Sequence, residues 1–282
     1  MPRSELARRP SPLRLRGATF AWGERTYVMG IINATPDSFS GDGIGADSGA
    51  AVRRARAFAA AGCHLLDVGG ESTRPGHTPV SESEELERVL PVIAAVRAAV
   101  ETPISIDTFK PAVARAALDA GADMVNCVWG ALPGISEAAA RANAPLVVMH
   151  NRASPDYDGD VVEIVIESLE RGARDAQEAG VRADRIIVDP GIGFGKTAVH
   201  NIEILARLHE IAARLPFPLL VGTSRKSFIG ALTGLSVERR AFGTAASVVL
   251  AIAGGADIVR VHDVEEMLAA AAVADAIVRR PS

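Results

Sequence analysis

The sequence predicts an α/β protein, a single (β/α)8 TIM barrel with an N-terminal β-hairpin at the barrel bottom. Three observations carry this reading. Short apolar runs alternate with Ala-rich segments of helical period, eight of each. Several of the helical segments stop at a Gly only a few residues before the next apolar run, as short barrel returns require. Polar side chains collect at the C-terminal ends of the runs, while the opposite ends carry mainly Gly, Ala and Pro. The 282-residue length is close to the roughly 250 residues of such barrels. An open doubly wound sheet is the other arrangement that the alternation allows.

Taken in order, residues 1–12 are rich in Arg and Pro and are expected to form a disordered tail, with 13–282 as one barrel domain. Residues 13–19 and 25–27 read as the plugging hairpin. The eight strands are expected at 27–32, 64–68, 104–106, 124–125, 146–149, 186–188, 219–221 and 258–261. Runs such as 146–149 and 186–188 are continuously apolar rather than alternating, the pattern of a parallel strand buried on both faces. The helices are expected at 50–61, 84–100, 111–120, 135–143, 161–179, 201–214, 239–254 and 264–279. Gly62, Gly121, Gly180 and Gly255 follow helical segments at the position where a left-handed residue ends a helix.

Composition removes several function classes. A net charge of −4 gives no electrostatic footprint for nucleic acid or a membrane surface. Cys63 and Cys127 are far apart and form no CxxC, so neither a disulfide framework nor a zinc site is indicated. The N-terminus lacks the apolar core of a secretory signal, and stretches such as 245–256 are too short to span a bilayer. The expected location is the cytoplasm.

The strand ends carry the chemistry. Strand one runs into Asn33-Ala-Thr-Pro-Asp-Ser-Phe39-Ser. Strand two ends in Asp67, followed by Glu71-Ser-Thr73-Arg74-Pro75. Strands three, four and five give Asp107, Asn126 and Met149-His150. Strand six gives Asp189-Pro-Gly-Ile-Gly-Phe194-Gly-Lys196, strand seven Ser224-Arg-Lys226-Ser227, and strand eight Arg260-Val-His262-Asp263. In a barrel all of these meet on one face. Asp67, Asp107 and Asp189 with Asn126 suit a heterocycle bearing several N–H donors. Arg74, Arg260, His262 and Asn33 suit an anion such as phosphate or pyrophosphate, and Asn33 offers an oxygen to Mg2+ bridging it. The residues therefore predict a two-part substrate, a flat polar ring deep in the barrel and a phosphate near the rim.

Other readings are weaker. The Gly-Phe-Gly-Lys196 stretch lacks the spacing of a phosphate-binding P-loop. Lys226 offers Schiff-base chemistry, but opens a helix rather than lying within a strand. Phe39, Phe194 and Phe228 either anchor mouth loops or stack on the ring, and Met149 either lines the ring or belongs to the core. His150 and His200 are assigned to structural hydrogen bonds.

The motifs Ile31-Ile-Asn-Ala-Thr-Pro-Asp-Ser-Phe-Ser40, Gly70-Glu-Ser-Thr-Arg-Pro-Gly76, Ile104-Ser-Ile-Asp-Thr108, Asp189-Pro-Gly-Ile-Gly-Phe-Gly-Lys196, Gly222-Thr-Ser-Arg-Lys-Ser-Phe-Ile-Gly230 and Arg260-Val-His-Asp-Val264 together resemble the dihydropteroate synthase family, the sulfonamide target of folate synthesis. The resemblance spans about residues 14 to 280. It implies condensation of 6-hydroxymethyl-7,8-dihydropterin pyrophosphate with p-aminobenzoate to give 7,8-dihydropteroate and pyrophosphate, with Mg2+ as cofactor and a homodimer formed through outer helices. It implies a pterin pocket of Asp107, Asn126, Asp189 and Lys226, flanked by Met149 and Phe194. It also implies a pyrophosphate and Mg2+ group of Asn33, Arg74, Arg260 and His262, and a p-aminobenzoate region of Thr73, Pro75, Phe39 and Ser227. Asp107, Asp189, Lys226, Arg260 and His262 are the expected catalytic set. Two positions depart from the family pattern. Cys127 stands where Asp is usual, and the acid of the first loop is shifted to Asp42. These departures keep a catalytically weak or inactive pterin-binding paralogue as the alternative. A pterin-binding methyltransferase would not need the Ser224–Ser227 turn or the Arg260/His262 pair.

Overall fold

The runs richest in Val, Ile and Leu form the inner wall of the molecule in the computed structural model, which describes residues 10–35, 47–71 and 79–279. A two-stranded hairpin, β1 (Leu13–Leu15) and β2 (Ala18–Phe20), precedes β3 (Tyr27–Asn33). The chain then continues through α1 (Ser48–Ala61), β4 (Leu65–Gly69), α2 (Glu82–Ala99), β5 (Ile104–Asp107), α3 (Pro111–Asp119), β6 (Met124–Cys127) and α4 (Pro133–Arg141). The second half runs through β7 (Leu146–Met149), α5 (Val161–Glu178), β8 (Ile186–Asp189), α6 (Ala198–Ala206), α7 (Leu208–Arg214) and β9 (Leu220–Val221). It ends with α8 (Ser227–Thr233), α9 (Ala241–Ala253), β10 (Ile258–Val261) and α10 (Val264–Val278).

All eight strands from β3 onward are parallel, in the spatial order β8-β7-β6-β5-β4-β3-β10-β9. A parallel bridge between Val188 and Leu219 joins the two ends, so the sheet closes on itself. The open-sheet alternative is thereby excluded.

The period-two alternation of strand side chains divides the core into two layers. Val28, Ile32, Leu66, Val68, Ile106, Val148 and Val188 face outward and pack under the helices. Met29, Leu65, Met124, Val147, Ile187, Leu220 and Ile258 face inward and fill the barrel's lower half together with Leu13, Leu15, Phe20, Trp22 and Tyr27. The hairpin therefore plugs the barrel bottom, as the sequence predicts. Gly30 marks a close helix approach, because a Cβ there would stand 2.7 Å from the Phe58 ring and 2.9 Å from Val264.

Three details differ from the sequence expectation. The second arm of the hairpin is β2 rather than residues 25–27: Arg16 (φ 43°) and Gly17 (φ 76°) make a tight turn, and Leu13 pairs with Phe20. Two left-handed residues in a row give the turn whose twist matches a two-residue hairpin. Tyr27 instead opens β3, pairs with Ile258 and holds the Ala21 amide on its hydroxyl at 2.7 Å. The single helix expected over 201–214 is two helices broken at Arg207, whose guanidinium binds Asp160, Glu203 and Glu210 at 2.8 to 3.1 Å. A short helix, α8, follows β9 directly and gives the seventh unit two helices. Among the described residues no helix is long and apolar enough to cross a membrane.

Candidate active site at the C-terminal ends of the strands

The alternation that buries Leu65, Met124, Val147, Ile187 and Ile258 inside the barrel puts the residues two positions further along on the same inward face. These are Asp67, Asn126, Met149, Asp189 and Arg260, joined by Asp107 from β5. An apolar lower half thus carries a polar upper tier, which converges on Arg260. The Arg260 Nε donates to Asp67 Oδ2 at 2.6 Å and its Nη2 to Asp107 Oδ2 at 2.7 Å. Asn126 Nδ2 donates to the same Asp67 oxygen at 3.1 Å. Asp67 Oδ1 and Asp107 Oδ1 are buried without a protein hydrogen bond. Burial raises the Asp107 carboxyl above the ordinary carboxylate range, against the pull of Arg260, while Asp67 and Glu85 push it further up. The Asp189 carboxyl is pushed up to about 6, chiefly by burial, although the Gly191 amide donates to its Oδ1 at 2.7 Å and Lys226 lies near. Buried acids with unsatisfied oxygens need incoming N–H donors, since a lone buried carboxylate is costly.

Lys226 comes from the turn before α8. Its stem crosses Gly193, where a Cβ would stand 2.9 Å from Lys226 Cδ, and its Nζ lies 3.9 Å from the centroid of the Phe194 ring. Phe194 therefore meets the lysine rather than only anchoring its loop, whereas Phe228 is buried core. Met149 is buried on the inward face. His262 follows β10, and its Nδ1 lies 2.9 Å from the buried Ser224 hydroxyl, which also accepts the His262 amide at 3.1 Å. Arg225, at φ 56°, pairs with Asp263, so the 224–227 turn is tied to the end of β10 at two points. Ser227 opens α8 and is exposed. Asn33 ends β3 half-buried, paired with Gly69 of β4. Thr73, Arg74, Pro75, Phe39 and Asp42 lie outside the described residues.

The sequence alone does not reveal three partnerships. Ser224 orients His262. Lys110 bonds Glu71 and Glu85 beside the end of β4, where Glu71 also accepts the Val80 amide at 3.3 Å. Lys196 is half-buried beneath the loop after β8, with its Nζ 2.8 Å from His150 Nδ1. The pairing of a Lys with two buried acids has no local spacing signal, because its members are contributed by separate βα units.

A sequence profile described as "Pterin binding enzyme" matches residues 29–262. A dihydropteroate synthase from Synechocystis sp. is 49% identical over 280 residues, covering 96% of each chain. The chain belongs to the dihydropteroate synthase family.

Solved structures of dihydropteroate synthases agree with the fold. One from Xanthomonas albilineans with 4-aminobenzoic acid is 42% identical, covers 96% of this chain and 100% of its own, and has a TM-score of 0.89. Another from Burkholderia cenocepacia, complexed with 7,8-dihydropteroate, is 43% identical, covers 95% and 96%, and has a TM-score of 0.85. Against the dihydropteroate synthase pattern, Cys127 is the notable departure in the described residues. It points away from the lumen into the layer between sheet and helices, is fully buried, and burial pushes its thiol up to about 12. Its neighbour Asn126, one residue earlier, faces the opposite way. The departure therefore leaves the polar tier intact.

Proposed function

We infer that this chain is a transferase that condenses 6-hydroxymethyl-7,8-dihydropterin pyrophosphate with p-aminobenzoate, giving 7,8-dihydropteroate and pyrophosphate. The observation that carries the reading is the convergence of Asp107, Asn126, Asp189 and Arg260 on one polar tier at the barrel mouth, with Lys226 and His262 at its edge. The paralogue alternative rested on Cys127 and Asp42. The outward direction of Cys127 removes the first of these grounds.

In this reading Asp189 accepts the donor-rich amino-pyrimidinone edge of the pterin, and Asn126 and Asp107 take its remaining ring donors. Lys226, steadied over Phe194, donates to the ring's carbonyl side. Met149 lies along the ring face. Leaving-group departure dominates the barrier, so Arg260 and His262 matter most where negative charge grows on the pyrophosphate. The Ser224 hydroxyl fixes the His262 ring. Asp67 and Asp107 hold the Arg260 guanidinium and favour the cationic methylene left behind. The aniline nitrogen of p-aminobenzoate, received near Ser227 with Phe39, Thr73 and Pro75, then attacks that carbon. Its proton is acidic once the bond forms, so no strong general base is needed.

Asn33 is the strand-end oxygen donor available to a magnesium ion. Magnesium keeps several waters and substrate phosphates in its coordination shell, so few protein ligands are required of the site. Asn33 would hold the ion, which would supply charge neutralisation for the pyrophosphate; the family resemblance assigns Arg74 to the same group.

A homodimer is part of the proposal. It is supported by apolar side chains exposed on the outer helices, Leu232 on α8 and Phe242 and Leu250 on α9, of which Phe242 is 91% exposed. A cytoplasmic location is proposed with it.

The test is turnover. Purified protein with dihydropterin pyrophosphate, Mg2+ and p-aminobenzoate should release pyrophosphate and form dihydropteroate in equal amounts, and a sulfonamide should compete with p-aminobenzoate. Pterin binding without either product would favour the inactive paralogue.

A further inference from the structure

The reaction leaves one half-buried cation, Lys196, without a task. Lys196 closes the glycine-rich loop after β8, and its Nζ meets His150 Nδ1 at 2.8 Å and the carbonyls of Gly191 at 3.0 Å, Phe194 at 3.0 Å and His150 at 3.3 Å. An ammonium has three N–H donors and accepts nothing. Burial pushes Lys196 down to about 7; in its protonated form it donates to His150 Nδ1, which leaves the ring proton on Nε2. Burial keeps that imidazole neutral, down to about 3, with Lys196 and Arg152 adding to the effect.

The loop around this ammonium has little freedom of its own. Gly191, Gly193 and Gly195 have φ of 68°, 84° and 55°. A Cβ on Gly191 would stand 1.9 Å from the His150 carbonyl oxygen, and one on Gly195 2.2 Å from that of Arg152. The loop is thus pressed onto residues 150–152 with carbonyls turned inward, a geometry that favours a cation at its centre. Asn201 braces the other side by accepting the Gly193 amide at 2.7 Å.

What the loop presents outward belongs to the ring site. The Gly191 amide holds Asp189 Oδ1 at 2.7 Å, Gly193 makes room for the Lys226 stem, and Phe194 lies against Lys226 Nζ. We propose that Lys196 is a positioning residue of the pterin site: its ammonium pins the carbonyls of Gly191 and Phe194 to the His150 segment, and so sets the orientation of Asp189, Phe194 and Lys226. The inference rests on the pterin reading above. Lys196 itself touches no substrate.

The test compares wild type, Lys196→Met and Lys196→Gln by calorimetric titration with 6-hydroxymethylpterin. The KM for p-aminobenzoate at saturating pterin pyrophosphate is measured alongside. Lys196→Met should weaken pterin binding tenfold or more while that KM stays within threefold. Lys196→Gln, which keeps two donors, should lose less pterin affinity. Pterin affinity of Lys196→Met within twofold of wild type overturns the proposal, as does an equal loss in pterin affinity and p-aminobenzoate KM. If Lys196→Met does not fold, Lys196→Gln is judged alone: a pterin-selective loss above twofold supports the proposal, and its absence overturns it. Turnover of the wild type decides the function separately. A wild type that binds pterin without forming dihydropteroate refutes the synthase reading and leaves the calorimetric pterin affinities of the three proteins to decide the proposal, whereas one that binds no pterin refutes both.

Discussion

Replacing Asp67 with Ala removes the acceptor on which the polar tier is hung. The side chain has no solvent exposure, and its Oδ2 receives both Arg260 Nε at 2.6 Å and Asn126 Nδ2 at 3.1 Å. Removing one partner of a buried ion pair costs about 3–5 kcal/mol, because the other charge stays buried. Arg260 retains Asp107 at 2.7 Å and keeps 20% of its side chain exposed, which places the expected loss at or just below the lower end, about 2–3 kcal/mol. Asp67→Asn is the informative control. An amide oxygen can still accept both bonds, and the new NH2 lies where Oδ1 now has no partner. Its cost is one unsatisfied buried donor and a lost charge assistance, about 1–2 kcal/mol. Urea unfolding followed by circular dichroism measures both variants. A loss below about 1 kcal/mol for Asp67→Ala, or equal losses for Ala and Asn, would refute the reasoning that Asp67 organises Arg260 and Asn126 by its negative charge.

Other expectations follow from the same geometry. Because burial pushes Asp189 up to about 6, and the ionised form is the acceptor, pterin affinity should fall as pH drops through about 6, approaching tenfold per unit well below it; a flat profile from pH 7.5 to 5 would contradict the role. His150 is held down to about 3, below an unfolded value of about 6.5. The unfolded chain therefore binds the extra proton between those values, and stability is lost as pH falls through that window, by about 2 kcal/mol from this residue between pH 7 and 5. Chemical denaturation at the two pH values checks it, with His150→Gln expected to flatten the difference. Cys127→Ala should leave 6-hydroxymethylpterin affinity within twofold, because the thiol faces the helix layer; a tenfold loss would put the side chain back in the site. Lys226→Met should lower kcat/KM by roughly a hundredfold or more, read from pyrophosphate release.

The fold is legible in this sequence because each barrel strand is both apolar and short. Runs such as Leu146–Met149 and Ile258–Val261 coincide with β7 and β10, and the first polar residue after a run is also where the chain reaches the barrel mouth. That coincidence makes Asp67, Asp107, Asn126, Asp189 and Arg260 readable as one site. Closer geometry was less accessible. The second arm of the hairpin is not legible because Arg16-Gly17 is a turn signal only if Arg accepts a left-handed conformation, which Arg rarely does. The break between α6 and α7 has no Pro or Gly to announce it, since it is stabilised by the long-range pairing of Arg207 with Asp160. Lys196 looked like the tail of a glycine motif because its partners are backbone carbonyls, which no composition or spacing records. Lys110 comes from a different βα unit than Glu71 and Glu85, so no spacing along the chain announces their pairing. Thr73, Arg74, Pro75 and Phe39 fall outside the described residues, so their part of the site rests on sequence alone.

The central claim is that the polar tier at the barrel mouth is a pterin site anchored by Asp189, and calorimetric titration of 6-hydroxymethylpterin into wild type and Asp189→Asn tests it most directly. Two charge-assisted hydrogen bonds at about 1.5–3 kcal/mol each set the scale of the loss. Wild type should bind one pterin per chain, and the variant should bind it at least a hundredfold more weakly. Binding in Asp189→Asn within threefold of wild type, or no binding to either protein, would contradict it.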